Sequence, residues 1–387
     1  MLIVREIDQP RSSGEKESMK TISFITIALL SCAVTHAQDP APPAPIMSVT
    51  LLGTGVPLLD PVAYEASGQV TAGLMVNAGT ESLLFDCGQG ILTRLLQSGN
   101  NPTTQNANAA IDRIFISHLH SDHMTDLGAI YNYGWLYRYN DPLEVWGPGP
   151  GPNGPISMSS IMPLYRTVYD SDIYIRSALF TLLSFPVSGE QPIGHDLVPG
   201  VVYQSNGVKV TAFLVNHNPV TPAYGFRIDY QGHSVVFSGD TTYDPTTPLI
   251  AMSTGVDVLI HEVWGYDKSA APELYAYHTV VEDTAKVFNA AQPKMAVYTH
   301  QGIPPGTTGG DLVSRARIAG YTGPLTLGAD LMTINVLPTT VSIINPPQIL
   351  SSAPTPVSAM NRVVPKGGEP VEMRTAPEVR ALMPKAR

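Results

Sequence analysis

Short apolar runs alternate along the chain with clusters of turn-forming residues. Residues 47–52 and 83–86 read as buried strands ending in glycine turns, Gly53-Thr-Gly55 and Gly88-Gln-Gly90. Ile91, Leu92, Leu95 and Leu96 then recur at helical spacing, so Gly90 is expected to open a helix. A further apolar run covers 113–117, and later strands are expected at 201–215, 223–230, 233–238, 256–261 and 295–299. Thr279 and Glu282 stand at capping-box spacing ahead of Ala285, Val287 and Phe288, which predicts a helix from there. Strands that end in polar clusters and alternate with helices imply an α/β fold, with sheets covered by helices and the chemistry at the strand ends.

Residues 130–155 break this rhythm. Tyr131, Tyr133, Trp135, Tyr137 and Tyr139 alternate with other residues before Gly147-Pro-Gly-Pro-Gly-Pro152 interrupts the pattern. The stretch reads either as an aromatic-rich helix or strand packed on the core before a rigid turn, or as rings that line a pocket. At the start, Met19-Lys20 precede an apolar run over 21–34 and a small-residue exit, Thr35-His36-Ala37. A run of that length falls short of the roughly 20 residues of a membrane span and matches a secretory signal peptide. The expected organisation is a leader and signal over 1–37, a Pro/Ala linker over 38–46, a single domain over 47–345 and a Pro-rich, disordered tail over 346–387. Initiation at Met19 and cleavage after Ala37 would leave a periplasmic or secreted protein without a membrane span. A lipoprotein anchor at Cys32 is the alternative, disfavoured by the bulk of Leu30.

The chain has 387 residues, 43% hydrophobic and 14% charged, enough to bury a large core and too apolar for wholesale disorder. Lys and Arg number 22 against 32 Asp and Glu, a net charge of −10, and between Thr21 and Tyr165 only Arg94, Arg113 and Arg138 occur. A polyanion finds few contacts there. Cys32 and Cys87 make neither a disulfide framework nor a four-thiolate zinc site.

The histidines are more informative. His118-Leu-His120-Ser-Asp122-His123 sets three imidazoles and a carboxylate directly after an expected strand. Alternation puts His118 and His120 on one side of the chain, and a turn brings Asp122 and His123 to a neighbouring position. Such a cluster is costly to bury without a metal, and imidazole with carboxylate is a donor set that zinc accepts.

This segment resembles the signature of the metallo-β-lactamase superfamily. Leu51-Leu-Gly-Thr-Gly55 and Leu84-Phe-Asp-Cys-Gly-Gln-Gly90 look like the opening of its ribonuclease Z and arylsulfatase-like branch, and Asn216-His217, Phe237-Ser-Gly-Asp240-Thr241, Leu259-Ile-His-Glu262, His278-Thr279 and Tyr298-Thr-His300 follow in that branch's order. The resemblance, over residues 47–303, implies a single-domain, four-layer αββα sandwich with two Zn2+ per chain. It implies one metal on His118, His120 and His217, the other on Asp122, His123 and His300, and Asp240 as the bridge. It also implies that Asp122 orients the attacking water and that His278, supported by Glu262, protonates the leaving oxygen. Taken singly, His217 and His300 also read as core histidines, Asp240 as a turn cap and Thr279 as a helix cap. His261 could exchange roles with Glu262, and Tyr243 either packs or polarises a substrate oxygen. His195 and His233 match no position.

The expected function is hydrolysis of small sulfate or phosphate esters by an exported, arylsulfatase-like enzyme whose partner is a small-molecule ester. Cys87 is followed by Gly88-Gln-Gly90 rather than a formylglycine pattern, so any sulfatase chemistry would be metal-based. Ribonuclease Z-type phosphodiester cleavage is the alternative. Export, the sparse basic residues, a span of 23 positions from His217 to Asp240 that leaves no room for a tRNA-gripping arm, and the lack of Lys or Arg over 56–68 all weigh against it. Nucleic acid is accordingly a disfavoured partner. β-Lactam or lactone opening uses the same nucleophile, and a metal-binding or sensor protein is the non-enzyme alternative, which the complete donor set opposes. The sequence does not set the oligomeric state, and a homodimer is compatible with it.

Overall fold

The computed structural model describes residues 44–57, 68–99, 111–138, 141–152, 154, 156–183, 187–265 and 276–345. The expected signal peptide, the start of the linker, the tail, Tyr139 and most of the 56–68 loop lie outside them. The chain forms β1 (Met47–Gly53), β2 (Gly73–Ala78), β3 (Glu81–Phe85), α1 (Ile91–Gln97), β4 (Arg113–Phe115), α2 (Leu127–Arg138), β5 (Glu144–Pro148), α3 (Met158–Val168), α4 (Asp170–Leu182), β6 (Ile193–Leu197), β7 (Gly200–Ser205) and β8 (Val208–Leu214). It continues through β9 (Tyr224–Tyr230), β10 (His233–Phe237), α5 (Leu249–Ser253), β11 (Val258–Trp264), α6 (Val281–Ala291), β12 (Met295–Gly302), α7 (Gly309–Ile318), β13 (Leu325–Leu327), β14 (Thr333–Val336) and β15 (Val341–Ile344).

One sheet runs β15-β14-β1-β2-β3-β4-β5-β6 and the other β13-β12-β11-β10-β9-β8-β7. Strand alternation sorts their side chains into layers. Val49, Leu51, Val76, Phe85 and Phe115 of the first sheet meet Val210, Phe226, Val235, Phe237, Val258 and Ile260 of the second between the sheets. On the outer face of the first sheet, Leu84, Ile114 and Val145 pack with Ile91, Leu95, Leu127, Tyr131, Trp135 and Met158 of α1, α2 and α3. The second sheet's outer residues, Val236, Leu259, Ala296 and Tyr298, pack under Leu249, Val281, Phe288 and Leu312 of α5, α6 and α7. The result is the expected helix–sheet–sheet–helix sandwich. Strands β10, β11 and β12 are mutually parallel, as are β3, β4, β5 and β6, so several strand C-termini open toward one edge.

Two local expectations are corrected, and one alternative left open is settled. The strand expected over 201–215 is a hairpin, because Asn206 and Gly207 both take φ > 0 (48° and 82°) and turn the chain between β7 and β8. The aromatic stretch is the helix α2: Tyr131 and Trp135, four apart, are buried in the core while Tyr133 is exposed, so helical period rather than alternation governs. The capping box expected at Thr279 is absent. Val280 is the N-cap of α6, and the Thr279 hydroxyl donates to the Thr241 carbonyl instead, whereas a capping box does form at Thr308 and Asp311 on α7.

The two unassigned histidines have structural places. Phe85, Phe115, Trp146 and His195 stand opposite one another on four adjacent parallel strands, with ring centroids 5.0, 4.9 and 4.5 Å apart in turn. His195 is the last rung of this ladder and bonds Glu144 at 2.9 Å. His233 bonds Asp257 at 3.2 Å.

Candidate metal centre

The loop after β4 carries His118 and His120 into the strand-end edge, and a single 3-10 turn, Ser121–His123, brings round Asp122 and His123. His120 Nδ1 lies 3.0 Å from His118 Nε2 and 3.3 Å from His217 Nε2. Asp122 Oδ2 lies 3.3 Å from both His123 Nε2 and His300 Nε2. Asp240 Oδ2 reaches both groups, at 3.9 Å from His118 Nε2, 3.3 Å from His123 Nε2 and 3.2 Å from His300 Nε2. His118, His120, His217 and Asp240 therefore make one donor set, Asp122, His123 and His300 another, each with donor atoms within 4.8 Å of one another.

The donor chemistry fits divalent metal. His217 Nδ1 donates to the Tyr277 carbonyl at 2.8 Å and His123 Nδ1 to Asp86 Oδ2 at 2.8 Å, which leaves each Nε2 a bare lone pair facing the site. His123 Nε2 is buried with no hydrogen-bond partner and faces two carboxylates, an arrangement that only a cation relieves. His120 Nδ1 carries at most one proton and cannot satisfy two imidazole nitrogens. Nitrogen separations of about 3.3 Å are instead the edge length of a tetrahedron around a metal with bonds of about 2.0–2.1 Å. Burial opposes ionisation of Asp122 and Asp240, yet the imidazoles of His123 and His300 outweigh it and hold both carboxyls well below the usual range. Burial pushes His217 down to about 4 and His118 well below the usual imidazole value. His123 goes the other way, because the charges of Asp240, Asp122 and Asp86 overcome its burial and draw positive charge to it.

Backbone details deliver these groups. Glu262 and His261 are neighbours on β11, so they face opposite sides of the sheet. His261 points to the helix layer, edge-on to Phe288 at 5.8 Å, with its Nδ1 on the Glu262 carbonyl, whereas Glu262 turns inward. The exchange of roles left open between them is thereby excluded. Glu262 Oε1 accepts from the Thr241 amide, and Oε2 lies 2.8 Å from His278 Nδ1. On β12, Glu262 pairs Thr299 and Val263 pairs Gln301, so His300 is the extra residue of a bulge with φ 44°. Simple alternation would have sent it to the outer face. Gly239, at φ 58°, precedes Asp240; a Cβ there would sit 2.6 Å from the Tyr224 carbonyl.

Asp86 is the functional residue that sequence reasoning missed. It follows β3 directly at φ 55°, fully buried, and its carboxylate accepts from Ser117 N (2.7 Å), Ser117 Oγ (2.8 Å) and His123 Nδ1 (2.8 Å). The only signal was its place in the Leu84–Gly90 motif, where it read as the end of a strand ahead of the Gly88–Gly90 turn. Tyr243 packs under the Lys286 ammonium, 5.2 Å from its ring centroid. Beside the first donor set, Leu119, Pro148, Gly149, Gly151, Gly154, Ile156, Val220, Thr221 and Pro222 line a cleft of about 220 Å3 without a charged side chain. Aliphatic side chains, glycine and proline line it, and neither Tyr131 nor Tyr133 of α2 is among them.

Two sheets covered by helices, with imidazoles and carboxylates gathered at the strand ends, define a metal-dependent hydrolase. The model of the metallo-β-lactamase superfamily matches residues 67–265, and the chain belongs to that family. It is 32% identical over 302 residues to the ribonuclease Z of Mycobacterium sp. (strain KMS), covering 76% of this chain and 97% of that protein, and 31% identical over 303 residues to the ribonuclease Z of Mycobacterium bovis, covering 99% of it. Among solved structures, the metallo-β-lactamase fold protein YhfI from Bacillus subtilis matches 74% of this chain and 98% of its own with TM-score 0.54 at 21% identity. Human tRNase Z, short form, matches 75% and 99% with TM-score 0.50 at 21% identity. At that identity these two establish the fold alone.

These relatives overturn two expectations, the arylsulfatase-like activity on small esters and the disfavour of nucleic acid as a partner. Proteins called ribonuclease Z align with this chain over nearly their whole length. Arg94, Arg113, Arg166, Arg176, Lys209, Arg227, Lys286, Lys294 and Arg315 all pair with carboxylates and add little to a phosphate contact, and the net charge of the whole chain does not describe the local charge at the donor cluster.

Proposed function

We propose that the protein is a ribonuclease Z-type phosphodiesterase that hydrolyses RNA with two zinc ions, one held by His118, His120, His217 and Asp240 and the other by Asp122, His123, His300 and Asp240. The observation that carries this reading is the joining of two donor sets by the single carboxylate of Asp240, beside the His278–Glu262 pair. The ribonuclease names of the aligned relatives supply the substrate class. Bound there, the metals supply Lewis-acid polarisation of a phosphoryl oxygen and a water acidic enough to attack near neutral pH.

The chain's own residues supply the rest. Asp122, kept ionised, orients the attacking water, whose proton is released to solvent. Burial raises the Glu262 carboxyl and lowers the His278 imidazole, so Glu262 keeps its proton and donates it to Nδ1 across 2.8 Å, which leaves the neutral ring's own proton on Nε2. His278 Nε2 gives that proton to the leaving oxygen as the P–O bond breaks with its electron pair passing to that oxygen, and the Glu262 proton passes to Nδ1. Water contributes hydroxyl to phosphorus, and the products are a phosphomonoester and an alcohol. The uncharged cleft beside Leu119 suits an unpaired base next to the phosphate, because a base offers an apolar face whatever its identity.

The test is incubation of the zinc-loaded protein with a single-stranded RNA oligomer and, separately, with nitrophenyl sulfate. RNA cleavage without sulfate release is expected; a protein that binds two zincs yet leaves RNA intact overturns the reading. For location, the succession Met19–Ala37 supports a secretory leader and a periplasmic or secreted enzyme. N-terminal sequencing of the mature protein should begin after Ala37, and retention of residues 19–37 would contradict this.

A further inference from the structure

His278 is held by more than Glu262. The indole of Trp264, the last residue of β11, lies parallel to its ring, with centroids 4.9 Å apart and planes 9° apart. On His278 the ring of His300 also lies nearly parallel, at 5.3 Å and 22°, and His300 in turn stacks on His123 at 5.2 Å and 26°. Two rings that each lie parallel to one imidazole within about 5 Å cannot both cover the same face, so His278 sits between Trp264 and His300. The four rings form a column from the edge of the site to the second donor set.

The hydrogen bond between Nδ1 and Glu262 fixes one point of the imidazole, and the rings of Tyr277 (4.7 Å, 52°) and His217 (5.4 Å, 62°) meet it only at steep angles. Tilt about that point moves Nε2 most, since that nitrogen lies across the ring. A flat partner on each face removes the tilt. His300 is held by its own place among the donors, so the second plate must come from elsewhere. Trp264 is itself fixed: its backbone amide donates to the Thr279 carbonyl at 2.8 Å, and its indole lies on the β12 backbone at Gly302, where a Cβ would come within 2.3 Å of the indole Cε3.

We propose that Trp264 is a positioning residue for leaving-group protonation, its indole holding the His278 plane so that Nε2 delivers its proton to the departing oxygen of a phosphodiester. This rests on the phosphodiesterase reading and deepens it. Trp264 touches neither the phosphate nor the metals in this role and acts through His278 alone. Its effect must therefore scale with how badly the leaving oxygen needs a proton: heavily for an alkoxide, little for a nitrophenolate that leaves unaided.

The experiment compares Trp264→Leu, Trp264→Phe and Gly302→Ala with the zinc-loaded wild type on an RNA oligomer and on aryl phosphodiesters of graded leaving-group pKa, with metal content measured in each. Trp264→Leu should lower kcat on RNA by about tenfold or more but by no more than about threefold on bis(p-nitrophenyl) phosphate, with KM little moved, and should steepen the dependence on leaving-group pKa. Trp264→Phe keeps a flat face and should recover most of the loss. Gly302→Ala leaves Trp264 in place but pushes its indole aside, and should reproduce the leucine effect with full metal content. In a His278→Ala background Trp264→Leu should cost nothing further on RNA. Equal losses on good and poor leaving groups, or an additional loss in the His278→Ala background, would overturn the proposal. Should Trp264→Leu fail to fold, Gly302→Ala and Trp264→Phe still decide it by the same leaving-group comparison. Wild-type protein that cleaves the aryl diesters but not RNA would refute the RNA reading and leave the Trp264 test intact on the aryl series.

Discussion

Asp86→Asn isolates the link between the hydrogen bond that orients His123 and metal affinity. The wild-type carboxylate accepts three hydrogen bonds, from Ser117 N, Ser117 Oγ and His123 Nδ1, at 2.7–2.8 Å. Alanine is too blunt a probe: it strands two buried N–H donors at about 1–3 kcal/mol each and puts an unfavourable residue at φ 55°, a total that approaches the stability of a small domain. Asparagine tolerates that backbone and keeps one oxygen. Its amide nitrogen must then face either the Ser117 amide, which cannot change, or His123, which can move its proton to Nε2. The second is cheaper, so the variant should stay folded, losing about 1–2 kcal/mol, while His123 Nε2 turns from lone pair to N–H and ceases to be a donor for metal. Chelator-competition titration should show the weaker of two zinc affinities falling by about 10–100-fold, with the other changed far less. Both sites at wild-type affinity in a folded Asp86→Asn protein would refute the tautomer argument.

Two further outcomes follow from other parts of the molecule. Gly151→Val places a Cβ about where the Thr221 carbonyl now stands, 2.3 Å away, and forces the glycine–proline turn from the loop that carries His217. KM for RNA should rise several-fold, more than for bis(p-nitrophenyl) phosphate, in steady-state assays; equal changes would show that the cleft does not hold the base. At Asp257, burial raises the carboxyl pKa, but hydrogen bonds from Lys294 (2.7 Å), Ser234 N (2.8 Å) and His233 (3.2 Å) outweigh it and leave the folded-state value depressed. The stabilisation is therefore present above the unfolded pKa of about 3.9 and lost as pH falls through the lower folded value. Asp257→Asn should cost about 1–2 kcal/mol at pH 7 by urea denaturation, discounted for the exposed Lys294, and the difference should shrink in acid; a difference that grows in acid would reverse the sign.

How much of this was legible in the sequence depended on distance along the chain. The His118–His123 cluster is contiguous, and its chemistry follows from residue type and the preceding strand. His217, Asp240 and His300 could be placed only by a resemblance, since strands from different parts of the second sheet bring them together. His300 shows the limit most clearly, because a one-residue bulge reverses the facing that alternation assigns. The choice between His261 and Glu262 was open in the sequence and is decided by which face of β11 each occupies. Thr279 looked like a helix cap because capping competes with any nearby acceptor, and the sequence does not reveal that the Thr241 carbonyl is within reach. Asp86 stayed hidden for the same reason: its partners lie 31 and 37 positions away. Net charge misled because it is a property of the whole surface, whereas the charge at the site is set by the few groups that line it.

Asp240 is proposed to join two metals in a site that hydrolyses RNA. Metal content and RNA cleavage, measured together on wild type and Asp240→Ala, test it most directly. Two zinc ions per chain with RNA hydrolysis in the wild type, against about one zinc and a loss of activity of at least 10³-fold in the folded variant, is the predicted result. An Asp240→Ala protein that keeps both metals and full RNA cleavage would contradict it.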